Sequence, residues 1–134
     1  MKSKITDSAI QAMLGREKKL YVQRNPKSQA LSLEASQHWL RGVPMHWMVD
    51  WGLPFSLFIE KAKGTSLTDA DDHHYSDFCL GDTGAMFGHS PKPVADALVR
   101  QAQRGFTTML PSEDAVWVTQ ELARRLACRF GNLP

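Results

Sequence analysis

The sequence predicts an α+β fold, with helices toward both ends and a short antiparallel β-meander between them. Three observations predict it. Apolar residues recur at helical spacing before residue 42 and again after residue 90. Three short strand-like runs lie between residues 57 and 78, and turn-forming residues separate them. The chain therefore divides into a helical segment, 1–42; an irregular segment with the meander, 43–90; and a second helical segment, 91–134.

The first helix is expected from Ile5 to Tyr21, with Ile10, Met13, Leu14 and Tyr21 on one face, Asp7 or Ser8 as cap, and Asn25-Pro26 as its stop. A second starts at Pro26-Lys27-Ser28, carries Leu31, Leu33, Ala35 and Leu40, and ends at Arg41-Gly42. Val43 to Pro54 holds two Trp and two Met without a clean period, so it reads as an irregular segment lining an interior or an interface. Strands are expected at Leu57–Lys61, Ser66–Asp69 and Tyr75–Phe78, joined by a turn at Gly64 and another at Asp71-Asp72-His73-His74. Ser90 is placed to cap a third helix that has Pro91 and Pro93 in its first turn, faces Val94, Ala97, Leu98 and Gln101 inward, and ends at Gly105. The last helix starts at Ser112, runs through Val118, Leu122 and Leu126, and closes with Arg129 before Gly131.

Composition narrows the function classes. Of 134 residues, 43% are apolar and 22% charged, which permits a packed interior. The 16 basic and 14 acidic residues leave a formal charge of +2 with no run of like charge to track a phosphate backbone, so nucleic acid is not an expected partner. Cys79 and Cys128 lie far apart without a CxxC spacing and suggest reduced thiols in the cytoplasm. No window has the length of a membrane span, and none resembles a signal peptide.

Asp69, Asp71, Asp72, His73 and His74 form an acid and imidazole cluster that invites a metal reading. A calcium-hand loop starting at Asp69 needs glycine sixth and glutamate twelfth, where the chain has His74 and Leu80. A tight turn held by Asx side chains is the preferred reading. Gly81, Gly84 and Gly88 match neither GxGxxG nor the Walker spacing, so backbone freedom is their expected use. His89 at a helix start has no acidic partner at a diagnostic spacing, which favours a structural joint over a general base. Trp47 and Trp51, with Met45 and Met48, line a pocket or subunit contact, or pack internally.

Ala62-Lys63-Gly64, Asp69-Ala70-Asp71, Tyr75-x-Asp77-Phe78 and Gly88-His89-Ser90, in that order, resemble the N-terminal segment of class-III pyridoxal-phosphate-dependent aminotransferases. The glutamate-1-semialdehyde aminomutase and β-amino-acid transaminase branch is the nearest in pattern. The resemblance implies a fold-type-I enzyme, with this chain supplying part of the small domain and the start of the large one. It further implies a homodimer that uses pyridoxal 5'-phosphate to move an amino group between a small-molecule amino donor and a carbonyl acceptor. No catalytic, cofactor-binding or metal-binding residue of the family maps onto the chain, and none of its eight lysines lies in a segment matching the Schiff-base site. The chain is therefore expected to be a front piece that holds no cofactor covalently and is not competent alone. An aminomutase-type isomerase, a non-catalytic dimerisation or interaction piece and an unrelated small α+β binding module are the alternatives.

By the same resemblance Trp47, Asp82 and Thr83 face the substrate. Several relatives acting on acids carry an arginine opposite Trp47 that pairs with the substrate carboxylate. An indole cannot form those bidentate bonds, so either another group holds the acid or the substrate is not a usual α- or β-amino acid.

Overall fold

The computed structural model describes residues 5–126, which fall into two compact units, one ending at Pro91 and one beginning at Lys92. Helix α1 spans Asp7–Arg24 and is capped by Thr6, whose hydroxyl accepts the Ala9 N–H at 3.3 Å, rather than by Asp7 or Ser8. Asp7 instead occupies the first turn, where its charge complements the helix dipole. The helix runs one turn past Tyr21 to Asn25, which ends α1 and starts α2. Asn25 Nδ2 donates to the Tyr21 carbonyl at 2.7 Å, closing the last turn, and Pro26 at the next position already has the φ a helix requires. The Asn25 side-chain oxygen, Oδ1, is buried with no partner among the described residues.

Helix α2, Pro26–Ala35, stops seven residues before the expected Gly42. Its end follows from local competition for carbonyls: the Ser36 hydroxyl donates to Leu33 O at 2.7 Å, and the His38 and Trp39 N–H groups both turn onto Ala35 O. A short 3-10 turn at Leu40–Gly42 then folds the chain back. Gly42 has φ +72 and lies so close to α2 that a Cβ there would sit 3.2 Å from Ser32 O. A second 3-10 turn, His46–Val49, leads to an extended stretch and the sheet.

The sheet has the order β1-β2-β3, all antiparallel, with β1 at Ile59–Lys63, β2 at Ser66–Asp69 and β3 at His74–Ser76. Strand β2 lies where expected. Strand β1 begins and ends two residues later than expected, because Lys63 pairs with Ser66 across a two-residue turn in which Gly64 takes φ +58. Strand β3 is shorter than expected, because the Asp77 side chain caps the turn beyond it.

What fills the interior of this unit is polar. Val43 is the one buried apolar side chain among the described residues, whereas Asn25, Ser28, Thr68 and Asp69 are all buried. Asp69 Oδ1 accepts the N–H groups of Asp71 and His73, and Oδ2 accepts the Tyr75 hydroxyl at 2.8 Å and lies 3.1 Å from His73 Nδ1. The turn thus built presents Asp71, whose two oxygens accept the Lys27 and Ser28 N–H groups at 2.7 and 2.9 Å. Those are first-turn donors of α2, unsatisfied within the helix itself. One carboxylate therefore ties the sheet to the helices. Tyr21 adds a second tie, donating to Phe55 O at 2.7 Å with its ring 5.0 Å from that of Phe55.

In the second unit, α3 spans Lys92–Ala102 and α4 Glu113–Leu126. Ser90 does not cap α3: it has φ +51, and its hydroxyl donates to Ala62 O at 3.2 Å. Helix α3 closes at Ala102, with the Gln101 amide donating to Gly105 O. Glu113 and Asp114 occupy the first turn of α4, and Glu121 pairs with Arg124 and Arg125. The expected end at Arg129 lies outside the described residues, as does Cys128.

The Asp69 carboxyl is pushed up by burial, but the His73 N–H, the Tyr75 hydroxyl and the His73 ring outweigh this and hold it below the usual range. Asp71 is held low in the same way, with burial opposed by the Ser28 and Lys27 N–H groups. Both carboxyls are depressed in the folded chain, so their stabilisation is complete above the ordinary carboxylate range and lost as pH falls through it. Chemical denaturation between pH 7 and 3 is expected to show stability falling steeply below about pH 4, with the Asp69→Asn variant losing part of that slope.

Candidate functional site

The candidate site is built on two segments of the first unit, 43–56 and 77–89. A neck closes the second. Gly64 and His89 exchange paired backbone hydrogen bonds at 2.9 and 2.7 Å, and Asp77 N–H donates to Thr65 O at 2.7 Å. Gly88, at φ +87, packs against Gly64 so closely that a Cβ would lie 3.1 Å from the Gly64 Cα. Across this neck His89 Nε2 lies 2.7 Å from Asp77 Oδ2, while Asp77 Oδ1 accepts the Cys79 and Leu80 N–H groups. The His89 bond first, and then these amides, hold the Asp77 carboxyl low.

The sequence reading gave His89 no acidic partner; the structure supplies Asp77, twelve residues away. No spacing rule links a strand end to a loop end, so sequence alone does not pair them. The pair ties off a loop, which agrees with the structural joint expected of His89.

Inside the loop the chain turns through Leu80, Gly81 and Asp82, all at φ between +51 and +60. For the two residues with side chains that conformation costs about 1–2 kcal/mol each, and the neck together with the Ala85 N–H bond to Leu80 O enforces it. Gly81 and Gly88 use the freedom expected of them, whereas Gly84 has no positive φ. Asp82 and Thr83 stand exposed at the loop surface, and Asp82 Oδ1 lies 3.8 Å from the Cys79 thiol.

Trp47 sits on the 3-10 turn His46–Val49 and is 46% exposed. No hydrogen bond or ring contact among the described residues joins it to Asp82 or Thr83, so the structure displays these three side chains on two separate segments. Two grooves lie nearby. The larger, about 810 Å³, runs between α1 and the β2–β3 turn, with Leu14, Tyr21, Leu53, Leu57 and His73 among its walls. The smaller, about 260 Å³, is lined by Arg41 and Trp51 among others, and the sequence reading did not single Arg41 out as a site residue. Its signal was a cationic residue directly before a glycine that ends a helical pattern.

The imidazoles of the acidic cluster are committed to the turn: His73 faces Asp69, and His74 Nδ1 lies 3.1 Å from the Thr68 hydroxyl. No group of three His, Cys, Asp or Glu side chains among the described residues is arranged to hold a metal ion. Tyr21 and Tyr75 are pushed up to about 12, by burial first and then by the nearby aspartates, so both phenols stay protonated as donors.

Several solved structures have a similar fold. A glutamate-1-semialdehyde aminomutase from Pseudomonas aeruginosa PAO1 matches with a TM-score of 0.87 and 42% identity, over 96% of this chain and 28% of that one. The chain is homologous to the class-III, pyridoxal-phosphate-dependent aminotransferases. A β-phenylalanine aminotransferase from Variovorax paradoxus matches at a TM-score of 0.77 and 25% identity, over 87% of this chain and 27% of that one. In sequence, β-phenylalanine transaminase of Variovorax paradoxus is 32% identical over 101 residues, which is 75% of this chain and 23% of the relative. Glutamate-1-semialdehyde 2,1-aminomutase of Methanosphaera stadtmanae is 32% identical over 83 residues, 59% of this chain and 20% of the relative. The chain thus spans between a fifth and a quarter of the length of these curated relatives. No protein-family model matches it. No described helix is long and apolar enough to cross a membrane.

Class-III aminotransferases use pyridoxal phosphate, and the Pseudomonas enzyme is also known in complex with PMP. The described residues of this chain do not fit the covalently held group. Lys18, Lys19, Lys27, Lys61, Lys63 and Lys92 are all exposed. Of these, Lys18 alone lines either groove, and there Glu17 and Asp72 balance Lys18 and Arg24, leaving no net positive charge for a phosphate.

If the neck enforces the loop, Asp77→Ala should leave residues 78–88 far more open to limited proteolysis than in the parent chain, while the β1–β2 hairpin stays protected. Peptide mass mapping reads this directly; equal cleavage rates would show that the Gly64–His89 bridge suffices alone.

Proposed function

We propose that this chain supplies the substrate-side wall of an enzyme that moves an amino group between a small-molecule amino donor and a carbonyl acceptor. The single observation that carries the reading is the 42% identity at a TM-score of 0.87 with an aminomutase, extending over 96% of the chain. Bound pyridoxal phosphate supplies the electron sink for such chemistry, and the protein's part is to bind and orient the reactants. In this reading residues 1–42 and 43–90 contribute to a small domain, residues 91–134 begin a large one, and the enzyme acts as a cytoplasmic homodimer of fold type I. The chain's own residues then bind and orient: Trp47 from the 43–56 segment and Asp82 with Thr83 from the neck-held loop face the substrate. Support for the loop residues comes from the strained backbone at Asp82, since such strain is maintained where a side chain must point a particular way.

A second reading, intramolecular amino transfer of the aminomutase kind, is favoured by the names of several relatives and of the Pseudomonas structure. The two readings differ in whether an external donor is needed.

The test grafts residues 25–126 onto the Pseudomonas aminomutase in place of its matching segment. In that enzyme Trp47→Arg should favour carboxylate-bearing donors over neutral amines by about 1.5–3 kcal/mol, the range for a hydrogen bond to a charged group. Steady-state kcat/KM values across acidic and neutral donors measure the shift. An unchanged ratio in both Trp47→Arg and Asp82→Ala, in enzyme that folds and holds cofactor, assigns these positions a structural role.

A further inference from the structure

We propose that Asp77 and His89 are positioning residues that decide which amino donor the enzyme accepts, by fixing the conformation in which Asp82 and Thr83 are presented. The inference rests on the reading of those two residues as substrate-facing. Its first support is that the loop between Asp77 and His89 has no interior of its own. No residue from 78 to 88 is buried, and Phe78 and Phe87 are both more than nine-tenths exposed. The hydrogen bonds inside it are short-range, from Gly84 N–H to Gly81 O, from Ala85 N–H to Leu80 O and from Gly88 N–H to Ala85 O. Among the described residues, the bonds that tie this stretch to the β1–β2 hairpin are made by Asp77, His89 and Ser90. A segment so poor in packing keeps one shape only as far as its ends impose it.

The second support is a continuous path from the imidazole to Asp82. His89 Nε2 lies 2.7 Å from Asp77 Oδ2, and the other carboxylate oxygen, Oδ1, accepts the N–H groups of Cys79 and Leu80, each at 2.9 Å. Held at one oxygen by the ring, the carboxylate turns its second oxygen onto the first amides of the loop, and bonds to a charged acceptor are stronger than neutral ones. Leu80 is the first of three consecutive residues in the left-handed region, and Asp82 is the third, at φ +56. The orientation of Asp82 is therefore set by two side chains, Asp77 and His89, that are themselves only 10% and 21% exposed.

The third support is that main chain and side chains have separate tasks at the neck. The Gly64–His89 bridge and the Asp77 N–H bond to Thr65 O are main-chain bonds, and Gly88 lies so close to Gly64 that little room is left for a Cβ. These contacts fix the separation of the loop's ends whatever side chain residue 89 carries. What remains for the Asp77–His89 contact is the direction in which the chain leaves the neck toward Leu80. In an enzyme site a misplacement of about 1 Å costs on the order of a hundredfold in rate, so two residues that touch no substrate govern how donors are ranked.

Two measurements test this. In the 134-residue chain, His89→Leu should shift the amide resonances of Leu80, Asp82 and Thr83, whereas His89→Gln, whose side-chain amide can donate to the same Asp77 oxygen, should leave them close to the parent's. The Gly64 amide, bonded to the main chain of residue 89, should keep its place in both. In the Pseudomonas aminomutase carrying residues 25–126, kcat/KM is measured for β-phenylalanine and for 1-phenylethylamine. His89→Leu should change the ratio of the two by about tenfold, His89→Gln should restore the parent ratio, and Asp82→Ala should move the ratio far less in His89→Leu than in the parent. The proposal is overturned by unmoved Asp82 and Thr83 resonances in His89→Leu, by an equal change for both donors, by His89→Gln behaving as His89→Leu does, or by effects of His89→Leu and Asp82→Ala that simply multiply. Asp82→Ala without effect in the parent removes the substrate-facing reading and the proposal with it; Asp82→Ala that shifts the ratio while His89→Leu does not removes the proposal alone.

Discussion

The fold of the first unit depends on where one carboxylate points. Asp71 reaches out of the β2–β3 turn and accepts two N–H groups at the start of α2, at 2.7 and 2.9 Å, in the role a helix's own cap residue would fill. Asn25, which occupies that cap position, makes no such bond, because its amide is turned back onto α1. The helix start is thus completed from the sheet. Asp71 can do this because Asp69, fully buried, gathers the Asp71 and His73 N–H groups and the Tyr75 hydroxyl and fixes the turn.

Such a frame differs from an apolar core in what it specifies. Burial of hydrocarbon is non-directional, whereas a carboxylate accepting defined donors sets both distance and angle. With Val43 as the single buried apolar side chain described, the mutual placement of α2 and the meander rests on these bonds and on the Tyr21–Phe55 contact. That placement fixes where the chain leaves the frame in two directions. From the far end of α2 the chain folds back at Gly42 and delivers Arg41, the Trp47 turn and Trp51. From the sheet it passes through the Asp77–His89 neck into the loop that bears Asp82 and Thr83. Meanwhile Phe78, Phe87 and Met109 are more than nine-tenths exposed, so apolar surface is presented outward.

Local signals were legible in the sequence where one residue decides the outcome. Pro26 started α2, Gly64 made the hairpin turn, and the acidic cluster was a turn because Asp side chains accept the N–H groups just after them. The family was legible from motif order. What stayed hidden was long-range: Asp71 is 43 residues from Ser28 and Asp77 is 12 from His89, and no periodicity links such partners. Helix α2 was read too long because Leu40 continued the apolar pattern while Ser36 redirected the carbonyls, and Ser90 was read as a cap because nothing in its neighbourhood announced the bond to Ala62. The proposed site is a different matter, because its residues come from the resemblance alone. Trp47, Asp82 and Thr83 are placed there by family pattern, and the positive φ values at Arg41 and Asp82 depend on tertiary packing that no local pattern announces.

The most direct test of the frame is native-state hydrogen exchange of four amides, those of Lys27 and Ser28 in α2 and those of Asp71 and His73 in the turn. All four donate to the linked carboxylates of Asp69 and Asp71, so they should open as one unit with a common free energy and respond together to denaturant. Rapid exchange at Lys27 and Ser28 while Asp71 and His73 remain protected would show that the turn stands without holding the helix, and would contradict the account.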